Sequence, residues 1–423
     1  DVGRFASQLD CRHVIVSLPS AAAGVRRRAT EVAGAAGLTV LTVPSYDDLL
    51  SGKVTVSQIR RIELEDLLGR DQVVLDSAGL HGLLTGKVVM VTGAGGSIGS
   101  ELARQIAKFQ PARLVLFELN EYALYGVEQE FLNSAPQITV SPIIGDVRNH
   151  SRVQAILSRF KPTVVFHAAA YKHVPLMEVD NAWEATQNNV LGTLTLARAA
   201  RDHGAEKFVL ISTDKAVNPT NVMGATKRLS EEICEALQPV NGTRFVVVRF
   251  GNVLGSTGSV IPKFREQIAR GGPLTVTHPD VTRYFMSIPE AAQLVLQAGL
   301  MGKGGEIFVM EMGEPVKIVD LARDMIRLSG LSDEDIRIEF TGLRPGEKLY
   351  EELLSDREST LPTPHPKLRI ARAGSTPGGD GWLAEIETWI SQTRTLGDDE
   401  VKRELAKRVP EYRPATNGNQ ASG

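Results

Sequence analysis

Cysteine is nearly absent: Cys11 and Cys234 are the two in 423 residues. Two thiols build neither a disulfide framework nor a cysteine zinc site, so a reducing compartment and no metal are expected. Long apolar runs are lacking too. None approaches the ~18 residues that a membrane span requires, and the chain as it stands reads as soluble. Nor is there an excess of charge. The formal net charge is −3, and the few basic clusters, Arg26-Arg27-Arg28 among them, read as solvated helix faces, so no nucleic acid and no membrane surface is expected as partner. What is there is an ordinary globular composition, 42% hydrophobic and 23% charged, long enough for two or three domains.

The chain opens at Asp1 and reaches a strand-like run, HVIVSL, almost at once, which suggests a piece cut from something longer. With LTVLTV and the helical segment Ala21–Ala36 between them, residues 1–80 read as the C-terminal part of an α/β domain without a phosphate loop. Val56–Asp76 reads as an ordered connection with short helices, and a boundary is expected near residue 82. From Lys87 strands and helices alternate regularly: strands at 87–92, 113–117, 138–144, 163–167 and 207–212, helices at 98–109, 120–133, 150–159 and 181–203. That alternation implies right-handed crossovers and a parallel, doubly wound sheet. Further strands are expected at Phe245–Phe250 and Glu306–Val309. Residues 81–392 thus form one domain, with a small substrate lobe of loops from about 251–286 and 340–356, and 393–423 reads as a polar, disordered tail.

The chain is organised around KVVMVTGAGGSIG, Lys87–Gly99. An apolar strand, a glycine turn and a helix start build a site for a pyrophosphate, whose charge sits against the N–H groups at the helix N-terminus. Gly93 and Gly95 fit the GxGxxG pattern but Ile98 occupies its third place; the pattern that fits is TGxxGxxG, Thr92 to Gly99, with Gly93, Gly96 and Gly99 as its glycines and Ser97 and Ile98 opening the helix. Glu118 ends the second strand, where a carboxylate accepts both hydroxyls of an adenosine ribose. It favours NAD over NADP, since a 2′-phosphate would meet a negative charge with no arginine in Glu118–Asn120 to neutralise it. Asp146 and Val147, in IIGDVRN, stand where an adenine contact or a simple turn is equally at home. Ala168 and Ala169 follow the fourth strand, with side chains small enough for close passage of a cofactor or for packing.

The chemistry lies in ISTDKAVNPTNVMGATKR, Ile211–Arg228. TGxxGxxG resembles the extended short-chain dehydrogenase/reductase family, a Rossmann-type fold whose members mostly act on sugar nucleotides. Most such enzymes carry YxxxK here, the tyrosine taking an alcohol proton and the lysine holding the nicotinamide ribose. In this chain the lysine is Lys227, but Met223 stands at the tyrosine position, and none of the tyrosines has a lysine four residues on. A thioether takes no proton.

Thr213-Asp214-Lys215 stands instead, and together with Met223 it resembles the large, membrane-anchored UDP-N-acetylglucosamine 4,6-dehydratases of bacterial surface-glycan synthesis. The resemblance extends over AAAYKHVPLMEVDNAWEATQNNVLGT, RFGNVLGSTGSVIPKF and LRPGEKLYEEL, nearly everything from residue 50 to 390. It implies that NAD takes the C4 hydride of UDP-GlcNAc, Lys215 removes the C5 proton, Asp214 protonates the C6 oxygen as water leaves, and the hydride returns to C6, with C5 configuration retained. Thr213 would bond the 4-hydroxyl, whose proton goes to Asp214 or to a bound water. For this Lys215 must be neutral and Asp214 protonated, against reference values of ~10.4 and ~3.9. Burial favours both and the attraction of a charged pair opposes both. The resemblance further implies substrate contacts from Lys172, His173, Asn252, Arg283, Arg344 and Glu347, arginine suiting a diphosphate by its planar fork. It also implies membrane helices ahead of this piece, with the active domain on the cytoplasmic face of the inner membrane. A homo-oligomer through the helices after 181 and 220 stays open, because their apolar faces would look the same if packed internally. A sugar-nucleotide epimerase and a non-catalytic NAD-binding scaffold are the alternatives; the first has no use for Asp214-Lys215, and the second would be expected to have lost them.

Overall fold

The computed structural model describes residues 2–18, 23–43, 60–61, 70, 73–238, 240–354, 359–372 and 380–414. Most of the expected connection Val56–Asp76, the end of the 340–356 stretch and residues 415–423 lie outside them. The chain divides into two compact units, one of Val73–Gly251, Ile288–Met312 and Leu343–Gly423, the other of Asp1–Gln72, Asn252–Ser287 and Gly313–Gly342.

In the first unit nine strands form one sheet among the described residues, in the order Ser359–Pro362, Leu368–Arg372, Glu306–Met310, Arg244–Arg249, Lys207–Ile211, Val164–His167, Val88–Thr92, Arg113–Glu118, Val140–Ile144. From Glu306–Met310 to Val140–Ile144 every pairing is parallel, while Leu368–Arg372 runs antiparallel to both its neighbours. Strands so placed are covered on both faces, and their sequences accordingly read as unbroken apolar runs: Val89, Met90 and Val91 are fully buried, as are Leu114 to Phe117 and Val164 to Phe166. The strand order reverses between Val88–Thr92 and Val164–His167. In a doubly wound α/β sheet, ligands bind beyond the strand ends at that reversal. This is the Rossmann-type α/β architecture expected.

In this unit two expectations need correction. The helix expected over 181–203 is three pieces, Ala182–Thr186, a π-helical turn Gln187–Leu191 and Gly192–Asp202. The π turn sits where the Asn189 side chain is drawn aside to the Tyr171 backbone, a cause that periodicity does not carry. The tail expected to be disordered contains the helix Asp398–Arg408, whose Val401 and Leu405 are buried together with Val409 and Tyr412 beyond it.

In the second unit His13–Val16 and Thr39–Thr42 pair in parallel around the helix Ala23–Ala35, with Arg60–Arg61 antiparallel beside Thr39–Thr42. The stretch expected as loops holds a helix, Val260–Ala269, that packs with Ile318–Leu328 about Phe264, Leu274, Leu321 and Ile326. Leu274–Val276 pairs in parallel with Ile338–Phe340.

Candidate active site

The glycine turn is built by close approach. Gly93 has φ +63°, and a Cβ on it would come within 2.7 Å of the Ala169 nitrogen and 2.8 Å of the Ala168 oxygen. A Cβ on Gly99 would stand 2.1 Å from the Gly93 oxygen, so strand, turn and helix can meet only as glycines. The helix Ser97–Ala107 is capped by Gly96, which has no side chain to fill the N-terminal donors. Ser97, Ile98 and Gly99 form its first turn. Glu118 reaches back to the same turn: Oε2 accepts from the Gly95 N–H at 3.0 Å, and Oε1 accepts from Leu119 and Asn120 at 2.8 and 2.9 Å. A turn with no room for Cβ atoms, a helix N-terminus and a carboxylate at the next strand end fit a dinucleotide.

Asp146 does not stand alone. Its carboxylate takes the Arg148 guanidinium, Nε to Oδ2 at 2.9 Å, and the Arg148 N–H at 2.8 Å. Burial would raise this carboxyl, but the arginine outweighs it and holds the group below its ordinary value. Val147 is buried against Gly192, where a Cβ would come within 2.7 Å of it.

Thr213, Asp214 and Lys215 form a knot at the end of the strand Lys207–Ile211. Thr213 caps the short 3-10 turn Asp214–Ala216, its Oγ1 accepting from the Lys215 N–H at 3.3 Å and donating to Asp214 Oδ1 at 2.9 Å. Lys215 Nζ donates to the same Oδ1 at 2.9 Å. Asp214 is buried, and its Oδ2 has no hydrogen-bond partner. The backbone here is fastened from below: Ser212 N–H donates to Val248 and Asp214 N–H to Phe250 at 2.7 and 3.0 Å. Ser212 Oγ donates to Glu231, which is clamped in turn by Arg249 through Nε at 2.8 Å and Nη2 at 2.6 Å, all three buried. A buried ion pair satisfied on every side gives the strand end one position.

The helix Val222–Ala236 lies against this knot. Asn221 caps it, Oδ1 accepting from the Gly224 N–H at 2.7 Å. A Cβ on Gly224 would stand 2.1 Å from the Lys215 carbonyl oxygen, so the helix comes this close only at glycine. Met223 is buried in the main core. Burial pushes the Lys227 ammonium down to about 8, with Glu231 partly opposing. His167 is pushed to about 3 by burial and by the charge of Lys227; it is a neutral link bonded to Thr92 Oγ1 at 2.7 Å and Thr193 Oγ1 at 3.0 Å.

Lys172, His173 and Arg344 form an electropositive group. Burial, then the charges of Lys172 and Arg344, lower the His173 pKa, and burial lowers that of Lys172. Arg344 and Glu347 pair with each other, Nε to Oε2 at 3.3 Å. Asn252 and Arg283 belong to the other unit, where Asn252 N–H donates to Tyr284 at 3.0 Å and Arg283 Nη1 to Thr282 at 2.7 Å.

Sequence reasoning missed Asn189, Gly224 and Glu351. Asn189 accepts from Tyr171 N–H at 2.8 Å, donates to Tyr171 O at 3.1 Å and donates to Thr226 Oγ1 at 3.0 Å, tying the Ala169–His173 stretch to the Lys227 helix. Gly224 stood inside the quoted MGATK stretch, and a glycine in an otherwise sound helix start was signal enough. Glu351 Oε1 lies 3.7 Å from Lys215 Nζ, a contact no spacing reports.

A family model described as "Polysaccharide biosynthesis protein" matches residues 89–373. The capsular polysaccharide biosynthesis protein CapD of Staphylococcus aureus is 51% identical over 360 residues, 85% of this chain and 60% of that protein. This chain therefore spans about three fifths of that relative's length. A UDP-glucose 4-epimerase of Rickettsia bellii is 36% identical over 281 residues (64% of this chain, 79% of the relative). A UDP-N-acetylglucosamine 4,6-dehydratase (inverting) of Campylobacter jejuni is 34% identical over 284 residues (66% and 80%). Among solved structures, Pen from Bacillus thuringiensis superposes with a TM-score of 0.64 at 32% identity, over 77% of this chain and 98% of that one. The dTDP-glucose 4,6-dehydratase DesIV of Streptomyces venezuelae does so at 0.55 and 21% identity over 77% and 97%, a likeness of fold.

Proposed function

This chain belongs to the polysaccharide biosynthesis protein family, and on that premise we propose that it dehydrates a UDP-sugar, UDP-GlcNAc, across C5 and C6, with NAD as a cofactor regenerated in each cycle. The observation that carries this reading is the knot Thr213-Asp214-Lys215: a lysine Nζ and a buried carboxyl joined by one 2.9 Å bond, beside a helix whose usual tyrosine is Met223. A site made for alcohol oxidation alone has no use for that pair, whereas elimination of water needs a base for C5 and an acid for the C6 oxygen on neighbouring atoms.

The glycine turn Gly93–Gly99, Glu118, Asp146, Val147, Ala168, Ala169 and Lys227 would hold the cofactor, with Glu118 favouring NAD over NADP. Its chemistry when bound is to accept a hydride and give it back. Thr213 Oγ1 orients the 4-hydroxyl, whose proton leaves to Asp214 or to a bound water as the C4 hydride is removed. Lys215 takes the C5 proton, made acidic by the neighbouring carbonyl. Asp214 gives its proton to the C6 oxygen as the C–O bond breaks. The direct Nζ–Oδ1 bond lets the two groups interchange a proton without solvent. Lys172, His173 and Arg344 neutralise the diphosphate and Glu347 leaves Arg344 for the uridine ribose hydroxyls; Asn252 and Arg283 are assigned to the sugar nucleotide from the family likeness alone. We assign retention at C5 from the likeness to the Met-containing dehydratases, against the inversion in the name of the Campylobacter relative. Among the described residues no helix is long and apolar enough to cross a membrane. We assign the whole protein to the cytoplasmic face of the bacterial inner membrane, anchored by segments outside this chain.

The test is incubation with UDP-GlcNAc and NAD in deuterated water, read by mass spectrometry and proton NMR. Loss of one water with one deuterium at C5 is expected, and in ordinary water an H3–H5 nuclear Overhauser contact in the product marks retention. A recovered sugar with no loss of mass, whether unchanged or inverted at C4, overturns the dehydratase.

A further inference from the structure

The mechanism uses Asp214 and Lys215 and leaves a third buried ionisable group without a role. Glu351 Oε1 stands 3.7 Å from Lys215 Nζ, on a segment remote from it in sequence, and its side chain is 4% exposed. The stretch that carries it is held at points other than Glu351 itself. Asn221 Nδ2 donates to the Gly346 oxygen at 3.2 Å, Lys348 Nζ donates to the Asn218 oxygen at 2.8 Å and to Glu352 at 3.0 Å, and Leu353 and Leu354 pack on the main core. The same loop, Asn218 to Asn221, follows directly on the catalytic turn. Glu351 is therefore aimed at Lys215 by the chain around it.

A carboxylate is not buried beside a cation without consequence for that cation. Counting charges shows which consequence. With Lys215 an ammonium and both carboxylates ionised, the three groups carry one net negative charge. With Lys215 neutral and the proton on Asp214, they carry the same. With Glu351 ionised, the net charge of the three groups is the same whichever of Asp214 and Lys215 holds their shared proton, and Glu351 is the anion that stays through the cycle.

We propose that Glu351 is the fixed anion that sets the basicity of Lys215, stabilising the ammonium formed as Nζ takes the C5 proton. This rests on the dehydratase reading and deepens it. In the step, the C5–H bond breaks and its electron pair is left in the carbon framework beside the C4 carbonyl. The proton becomes the third N–H of Lys215, and the new ammonium has Asp214 Oδ1 at 2.9 Å and Glu351 Oε1 at 3.7 Å. When the cycle closes, an N–H bond of the ammonium, whose hydrogens exchange with solvent, breaks and C5 recovers a proton from it. Glu351 neither gains nor loses one, so it is a positioning residue that acts through Lys215.

The experiment measures deuterium uptake at C5 of UDP-GlcNAc across pH for the wild-type chain, E351Q and E351D, with thermal melting and sugar-nucleotide binding recorded for each. Without the anion the Lys215 ammonium is less stable and loses its proton at lower pH. The acidic limb of the E351Q rate profile is expected to move down by about 1 pH unit or more, with a plateau lower by roughly tenfold because the amine is a weaker base. E351D keeps the charge but draws it back by one methylene, and its limb moves the same way by less; should E351Q not fold, E351D decides alone. A limb that stays in place in the folded variants, with only KM or melting changed, overturns the role of Glu351 and leaves the dehydratase standing. A wild-type chain that takes up no deuterium at any pH overturns the function itself.

Discussion

Replacing Gly224 by alanine adds one methyl group at the place where the helix Val222–Ala236 touches the catalytic turn. The added Cβ would stand 2.1 Å from the Lys215 carbonyl oxygen, 3.0 Å from its carbonyl carbon and 3.2 Å from Asn221 Oδ1. The nearest atoms are backbone, so no side chain can swing away, and a normal contact is regained only if helix and turn part by about 1 Å. Two terms of opposite sign decide stability. Alanine in a helix gains up to about 1 kcal/mol over glycine, while forced overpacking of this kind costs about 1–3 kcal/mol. The expected net effect is a loss of roughly 1–2 kcal/mol, and the displacement falls on the residue that must meet C5, where a 1 Å error lowers the rate about a hundredfold. Gly126, in the helix Glu121–Ser134, supplies the contrast: nothing lies within 4 Å of an added Cβ, so G126A should melt as high as the wild type or higher and exchange deuterium at its rate. Calorimetry and C5 deuterium uptake on the two variants make the comparison. If G224A melts no lower and exchanges as fast as the wild type, the close approach of helix and turn is not what positions Lys215.

Glu118 holds three backbone N–H groups, so E118A should weaken NAD binding by about 10–100-fold, the loss expected when polar partners are left unpaired, while NADP is less affected; titration calorimetry giving an unchanged NAD to NADP ratio would refute the discrimination argument. Glu232 is pushed up to about 8 by burial, with Glu411, Glu235 and Glu231 adding to it and Arg228, 3.3 Å away but shared with Glu231, opposing. A carboxyl raised on folding contributes stability below its unfolded value near 4.5 and loses it as pH rises through 8. The neutral amide of E232Q escapes that loss, so the variant should be more stable than the wild type by a few kcal/mol at pH 8.5 and by little at pH 5. A difference that stays constant across that range in denaturant titrations would show that Glu232 is ionised throughout.

What could be read before the fold was known follows from the range of each signal. The turn Gly93–Gly99 was legible because its constraint is local: the Gly99-to-Gly93 approach lies within seven residues, and the apolar run before it has the length of a buried strand. The pairing of Lys227 with Met223 was legible for the same reason, one helical turn. Arg344 and Glu347, three residues apart, form an ion pair as local as the one between Asp146 and Arg148, two apart. Asn189 ties Tyr171, 18 residues away, to Thr226 in the next crossover, and Glu351 meets Lys215 from a remote segment, so both depend on how separate segments come to lie together. No local pattern encodes that.

The end of the chain shows the other way in which reading fails, through the wrong weight on a signal that was present. DDEVKRELAKR is charged enough to look unable to bury anything, yet Val401, Leu405, Val409 and Tyr412 recur at four, four and three residues, and all four are buried in the core that contains Leu229, Ile233 and Leu237 of the Lys227 helix. The charges serve that packing: Asp398 accepts from the N–H groups of Asp180 and Ala182, Lys402 pairs with Glu178, and Glu178 in turn accepts from the Val222 N–H at the start of the Lys227 helix. Beyond it the Arg413 N–H donates to the Pro219 oxygen, in the loop that leads from Lys215. Narrow apolar stripes on a charged helix are enough when the partner surface is supplied by the rest of the fold. The consequence concerns assembly. The helices after 181 and 220 are covered here by Asp380–Ile390 and Asp398–Arg408 of the same chain, so a dimer formed through those faces would first have to displace Trp389, Leu405 and Tyr412 from the core.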